Sequence, residues 1–168
     1  MKIYIGDLDE AVRVVELEST SEALDLEQYT PYRGAVTVRG GVNRIGGEVY
    51  VRVRVSGRVQ ATCDRCLSPF ERVFAEDCLW IFTPESELLD QDQEDVYPLA
   101  PGQMEINIAR QVRETLIVIL PIKMLCSEQC KGLCPHCGAN LNFETCTCNF
   151  EEIDPRWAKL AKFRGVQE

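Results

Sequence analysis

The chain has 168 residues, a formal net charge of −9 and 45% hydrophobic residues, which suits one globular domain with at most a small appendage. It has no apolar run of about 18 residues or more, which excludes a membrane-spanning helix, and its charged N-terminal stretch lacks an apolar signal core, so a cytoplasmic location is expected. So acidic a chain is a poor generic nucleic-acid binder, and its nine cysteines point, in a reducing compartment, to metal or redox chemistry rather than disulfides.

The average charge hides a polarity. Residues 33–72 carry Arg33, Arg39, Arg44, Arg52, Arg54, Arg58, Arg65 and Arg72 against Glu48, Asp64 and Glu71, whereas residues 75–105 carry nine acids and no base.

In chain order, residues 2–5 and 11–18 read as short strands, and 21–28 as a helical turn ended by Thr30-Pro31, because a residue before proline avoids helix. Residues 35–42 read as a strand, with Gly40-Gly41 and Gly46-Gly47 bracketing a turn. Val49, Val51, Val53 and Val55 then alternate with Tyr50, Arg52, Arg54 and Ser56, the period-two signature of a half-buried antiparallel strand. The valines are expected on the core side, with Tyr50, Arg52, Arg54 and Arg58 on the other. This strand runs into a Cys63-Asp64-Arg65-Cys66 knuckle, and residues 70–82 return as the next strand, with Cys78 as a small buried hydrophobe.

Residues 85–95 form an acidic run without β-branched residues, expected as a solvated loop. Asn107 is placed to cap a helix over 108–119, whose Ile108, Val112, Leu116 and Ile119 make one apolar stripe, stopped by Leu120-Pro121. Asp154-Pro155 reads as the start of a last short helix over 156–164. The expected fold is α+β: mainly an antiparallel β-meander with one packed helix, then a cysteine-rich, zinc-ribbon-like segment and a short helix. The expected domains are a 1–125 core and a 126–168 zinc-binding segment docked on it.

Without Cys78, eight cysteines remain in four close pairs: Cys63/Cys66, Cys126/Cys130, Cys134/Cys137 and Cys146/Cys148. Two four-thiolate sites would use all eight, and tight thiol loops suit tetrahedral zinc, with two structural ions expected. Cys134-Pro135-His136-Cys137-Gly138 is the clearest zinc knuckle. One partition joins Cys134, Cys137, Cys146 and Cys148 locally and leaves Cys63, Cys66, Cys126 and Cys130 for the second ion. That local partition is the favoured one, with Cys63 and Cys66 joined to Cys134 and Cys137 as the alternative that spacing also allows; all-cysteine ligation is also open to iron–sulfur clusters, but the compact knuckle favours zinc. No phosphate-binding glycine loop, nucleophile elbow or paired-carboxylate constellation stands out. The single histidine, His136, reads as a surface residue of the knuckle, so a non-catalytic protein without a small-molecule substrate is expected.

Cys63-Asp64-Arg65-Cys66-Leu67 followed by Pro69-Phe70, the helix ending Leu120-Pro121, the run from Cys130 to Asn142 and the tail Ile153-Asp154-Pro155-Arg156-Trp157 resemble the bacterial YceD family, named for large ribosomal RNA subunit accumulation. The resemblance implies a cytosolic factor needed for 23S ribosomal RNA accumulation, with ribosomal RNA, a pre-ribosomal particle or a ribosomal protein as partner. The surface expected to face RNA is the arginine-bearing strand face with Tyr50, Arg52, Arg54, Arg58 and Arg65, since guanidinium groups pair with phosphate and stack on bases. The alternatives are an acidic adaptor that holds a basic ribosomal protein and a thiol or zinc redox sensor.

Overall fold

The computed structural model describes residues 1–28, 30–84, 95–148 and 156. Apart from Asp95 and Arg156, the expected acidic loop and C-terminal helix lie outside the described residues, as does the Asp154-Pro155 cap. Two compact units form, Met1–Asp64 with Ser68–Cys126, and Arg65–Leu67 with the described residues from Ser127 onward.

The valine alternation becomes the centre of the first unit. Its strands are β1 (Lys2–Tyr4), β2 (Arg13–Thr20), β3 (Tyr32–Ile45), β4 (Glu48–Thr62), β5 (Pro69–Thr83), β6 (Val96–Pro98) and β7 (Glu105–Asn107), with one helix, α1 (Ala109–Val118). A five-stranded sheet runs β2-β3-β4-β5-β6, and β1 pairs antiparallel with β7 in a separate two-stranded sheet. Val49, Val51, Val53, Val55 and Val59 of β4 are all buried, because a strand sends alternate side chains to one face. Val36, Val38 and Val42 of β3 and Trp80 and Phe82 of β5 join them on that face.

The helix closes this core. Ile108, Val112 and Leu116 are fully buried, Ile119 packs partly against them, and α1 lies against β4 and β5. Their spacing of three or four residues forms the single apolar stripe that a surface helix needs. Leu116→Ala is expected to cost about 2–5 kcal/mol through lost burial and a residual cavity, measured as a lowered urea midpoint at unchanged slope.

Several expectations need correction. Gly40-Gly41 does not bracket a turn, since β3 runs on to Ile45 and Gly40 pairs with Val53 and Gly41 with Arg52 inside the β3–β4 ladder. The reason is space. A Cβ on Gly40 would lie 2.1 Å from the Arg52 carbonyl oxygen, so β3 passes β4 more closely there than a side chain allows. Only Gly46-Gly47 turns the chain, both with positive φ (60° and 96°), the backbone of a two-residue hairpin loop whose twist matches its strands. The expected helical turn over 21–28 is a set of hydrogen-bonded turns, with the Leu24 N–H donating to the Thr20 carbonyl at 3.2 Å and the Leu26 N–H to the Ser21 carbonyl at 2.9 Å.

β2 to β5 form the expected antiparallel meander, and β6 makes the sheet mixed by running parallel to β5. Residues 84–95 separate these strands, and a parallel pair needs a connection of about a dozen residues. Cys78 is half-buried rather than buried, with its Sγ 3.7 Å from the Thr115 hydroxyl of α1. The helix begins one residue later than expected, with Ile108 at its cap, and the Asn107 side chain accepts the Ala109 N–H at 3.1 Å and the N-terminal ammonium at 3.2 Å.

Candidate metal centres and the arginine face

The thiol loops are shaped by backbone hydrogen bonds before any metal is considered. After β4, the Cys63 N–H donates to the Ser68 carbonyl at 2.9 Å, with Leu67 at positive φ (56°). Asp64 pairs doubly with Met124: its N–H donates to the Met124 carbonyl at 2.8 Å, and its Oδ2 accepts the Met124 N–H at 2.6 Å. Arg72 donates to the Cys126 carbonyl at 3.0 Å.

In the second unit the Cys134 N–H donates to the Ala139 carbonyl at 2.8 Å, and the Gly138 N–H returns to the Cys134 carbonyl at 2.9 Å. Gly138 sits at φ 75°, which a glycine adopts without strain. Asn142 braces the neighbouring loop. Its Oδ1 accepts the Lys131 N–H at 2.8 Å, and its Nδ2 lies 3.4 Å from the Cys130 sulfur. Arg65 reaches the Cys130 carbonyl at 3.0 Å, while its own carbonyl accepts the Leu133 N–H at 3.1 Å.

Two groups of four thiols result: Cys63, Cys66, Cys126 and Cys130, and Cys134, Cys137, Cys146 and Cys148, the sulfurs of each lying within 4.8 Å of one another. In the second group, Cys146 Sγ lies 3.2 Å from Cys134 Sγ and 3.6 Å from Cys137 Sγ. These separations exceed a disulfide bond of about 2.05 Å. They approach the roughly 3.8 Å edge of a tetrahedron whose metal–sulfur bonds are about 2.3 Å. None of the nine cysteines is joined in a disulfide.

The donor chemistry fits a cation. Backbone N–H groups of Cys137 and His136 hold the Cys134 thiol down at about 6, whereas hydrogen bonding to Cys146 and Cys137 pushes Cys148 up to about 12. Neighbouring thiolates repel, so four cannot ionise together at neutral pH unless a positive ion lies among them. Each group could therefore hold one metal ion through four sulfurs. His136 is exposed and belongs to neither group.

The arginines fare differently. Tyr50, Arg52, Arg54 and Arg58 do share the face of β4 opposite the valines, and the Arg52 guanidinium lies 5.4 Å from the Tyr50 ring centre. Neighbouring strands, however, bring acids to the same face. Arg39 meets Glu16 of β2 at 2.7 Å, Arg54 meets Asp77 of β5 at 2.9 Å, and Arg58 meets Glu71 of β5 at 3.7 Å. Arg52 donates to the Asn43 side chain at 3.3 Å. Arg65 is not in this row, since it lies beyond the end of β4 and braces the Cys130 loop. The positive run 33–72 is thus interleaved with acids that only strand pairing places beside it. Sequence reasoning did not place Glu16, Glu71 and Asp77 beside these arginines, and the register of β2 and β5 was the missing signal.

Among the described residues no helix is long and apolar enough to cross a membrane. A family model described as large ribosomal RNA subunit accumulation protein YceD matches residues 51–164, which includes all eight clustered cysteines. The chain belongs to the YceD family. Similar proteins include the large ribosomal RNA subunit accumulation protein YCED homolog 1, chloroplastic, of Arabidopsis thaliana, 37% identical over 73 residues, which cover 44% of this chain and 23% of that protein. The Zea mays protein of the same name is 28% identical over 200 residues, covering 98% of this chain and 65% of that one. An uncharacterized Mycobacterium tuberculosis protein is 30% identical over 127 residues, covering 75% of this chain and 60% of that one. The match thus spans less than two thirds of each of these YceD-like relatives. No solved structure matches the chain.

Proposed function

We propose that this protein is a non-catalytic, zinc-stabilised cytoplasmic factor that supports accumulation of large-subunit ribosomal RNA. The observation that carries this reading is membership of a family described by that role, matched across the residues that hold both thiol groups. Zinc is favoured because its borderline-soft ion takes four thiolates in a closed tetrahedron, the arrangement of structural rather than catalytic sites. Each ion would be held by one group of four cysteines, and its chemistry there is to tie loops together. A closed site with no histidine or carboxylate ligand leaves no position for a metal-bound water, in keeping with a protein that is not an enzyme.

RNA contact, on this proposal, is made through the sheet face around Tyr50 and Arg52. Arg52 has a polar but uncharged partner and an aromatic ring beneath it, and such a pair offers a base both stacking and a cation. The ion pairs of Arg54 and Arg58 are exposed, so exchanging a carboxylate for a phosphate there costs about 1 kcal/mol or less per pair. Arg52→Glu with Arg54→Glu is expected to weaken co-sedimentation with precursor large-subunit particles about tenfold or more, given the salt-dependent phosphate contribution, with unchanged circular dichroism. Unaltered co-sedimentation would discard this face.

A further inference from the structure

The edge of β5 presents backbone groups that nothing described satisfies. On one side β5 pairs with β4 along its whole length, but on the other β6 covers only Ile81, Phe82 and Thr83. The Ile81 N–H donates to the Asp95 carbonyl at 2.9 Å, away from β4. Alternate residues of a strand share that direction, so the N–H and C=O groups of Glu71, Val73, Ala75, Asp77 and Leu79 also point outward. None takes a backbone partner among the described residues. Long open edges of this kind are normally shortened, covered or blocked, because they template another strand.

A groove of about 950 Å³ lies beside this edge, walled by β5, β6 and α1. Its lining is partly apolar, including Cys78, Leu79 and Val118, and Val118 is 81% exposed. Gln111 lines it while only 7% exposed, and its Oε1 has no hydrogen-bond partner among the described residues. A buried amide oxygen without a donor costs stability unless something supplies one. Glu76, Asp77, Asp95 and Glu114 also line the groove, and among the described residues no lysine or arginine does. Asp77 and Glu114 are engaged by Arg54 and Arg110, while Glu76 and Asp95 make no ion pair among the described residues. The negative field registers on Cys78, whose thiol is pushed up first by burial and then by Asp95, Glu76 and Asp77.

We propose that the open β5 edge and its acidic groove bind an extended, lysine- or arginine-bearing segment of a partner protein as an added strand. Main-chain hydrogen bonds to β5 would supply much of the affinity and alternate side chains the selectivity. The acid lining selects a basic segment. It also argues against a second copy of this chain, because edge-to-edge pairing would bring Glu76 and Asp77 of two copies together. The inference stands on this geometry alone and holds or fails irrespective of any role in ribosomal RNA accumulation.

The test is a fluorescence-anisotropy titration of the full, metal-loaded chain with a labelled decapeptide of alternating lysine and valine, beside its glutamate–valine counterpart. Saturable binding of the lysine peptide is expected, at least about tenfold tighter than the glutamate peptide. Glu76→Lys combined with Asp95→Asn should weaken it about tenfold by removing the two acids that make no ion pair among the described residues. Ala75→Pro should weaken it by a similar factor, since it deletes an outward N–H and leaves the β4 ladder its hydrogen bonds. Failure of the lysine peptide to saturate, equal binding of both peptides, or indifference to both variants overturns the proposal. Binding that appears only after residues 149–168 are removed assigns the groove to this chain's own tail instead. A dimer in sedimentation that Ala75→Pro abolishes assigns it to a second copy, and either result also overturns the proposal.

Discussion

Cys134→Ser should remove one of two bound metal ions per chain, and Cys63→Ser should remove the other. The sulfurs of Cys134, Cys137, Cys146 and Cys148 cluster separately from those of Cys63, Cys66, Cys126 and Cys130, so each substitution leaves three thiols in its own group and four in the other. A three-thiol remnant still attracts metal but loses the closed tetrahedral set, and structural zinc contributes on the order of 10 kcal/mol or more to folding at neutral pH. The loop from Cys134 to Cys148 has little else to hold it. Its described backbone is turns and one isolated bridge between Leu133 and Asn140, without an apolar core of its own. Cys134→Ser is therefore expected to unfold that loop while the β-sheet signal in circular dichroism persists. Metal analysis of protein purified without added metal gives the stoichiometry. Loss of the same single equivalent by both variants would show that the two groups are not independent sites.

Gly40→Val should be among the most damaging single substitutions in the sheet. The Cβ position at Gly40 meets the Arg52 carbonyl oxygen at 2.1 Å and the Val53 Cα at 2.6 Å. Both obstacles are backbone, which cannot swing aside as a side chain can, so β3 and β4 would have to separate in the middle of their ladder. Val38–Val55 and Val42–Val51 flank the site, and separating them opens the core. A loss of about 4 kcal/mol or more is expected, at the upper end for single substitutions, read from chemical denaturation or, if the variant is too unstable, from its failure to accumulate as soluble protein. Gly46→Val is the contrasting control. Nothing lies near its Cβ, so only the positive φ is penalised, at roughly 1–2 kcal/mol.

Much of the sheet was legible because one physical rule wrote it. The alternation of Val49 through Val55 requires a strand with one buried face, and the stripe of Ile108, Val112 and Leu116 requires a helix laid on an apolar surface; both are buried accordingly. The Gly40-Gly41 error arose because adjacent glycines mark a turn and a close backbone approach equally well. Gly46-Gly47 differs from Gly40-Gly41 only in what lies opposite, and local pattern is silent on that. β6 and β7 went unrecognised because three residues are too few for any period to show, and β7 exists through its pairing with β1.

The sequence by itself determined that thiols come in close pairs, since the residues between two cysteines fix whether both sulfurs can reach one point. It also determined which side of β4 carries the arginines, because side-chain direction in a strand depends on parity alone. Only the tertiary structure decided which pairs share a site, as loop spacing constrains the ends of a loop but not its partner. It likewise decided that Arg39, Arg54 and Arg58 stand beside Glu16, Asp77 and Glu71, and that among the described residues the far edge of β5 is paired only at Ile81–Thr83, beside an acidic groove. These are consequences of strand order and register, which join residues distant in the chain and so leave no local trace in it.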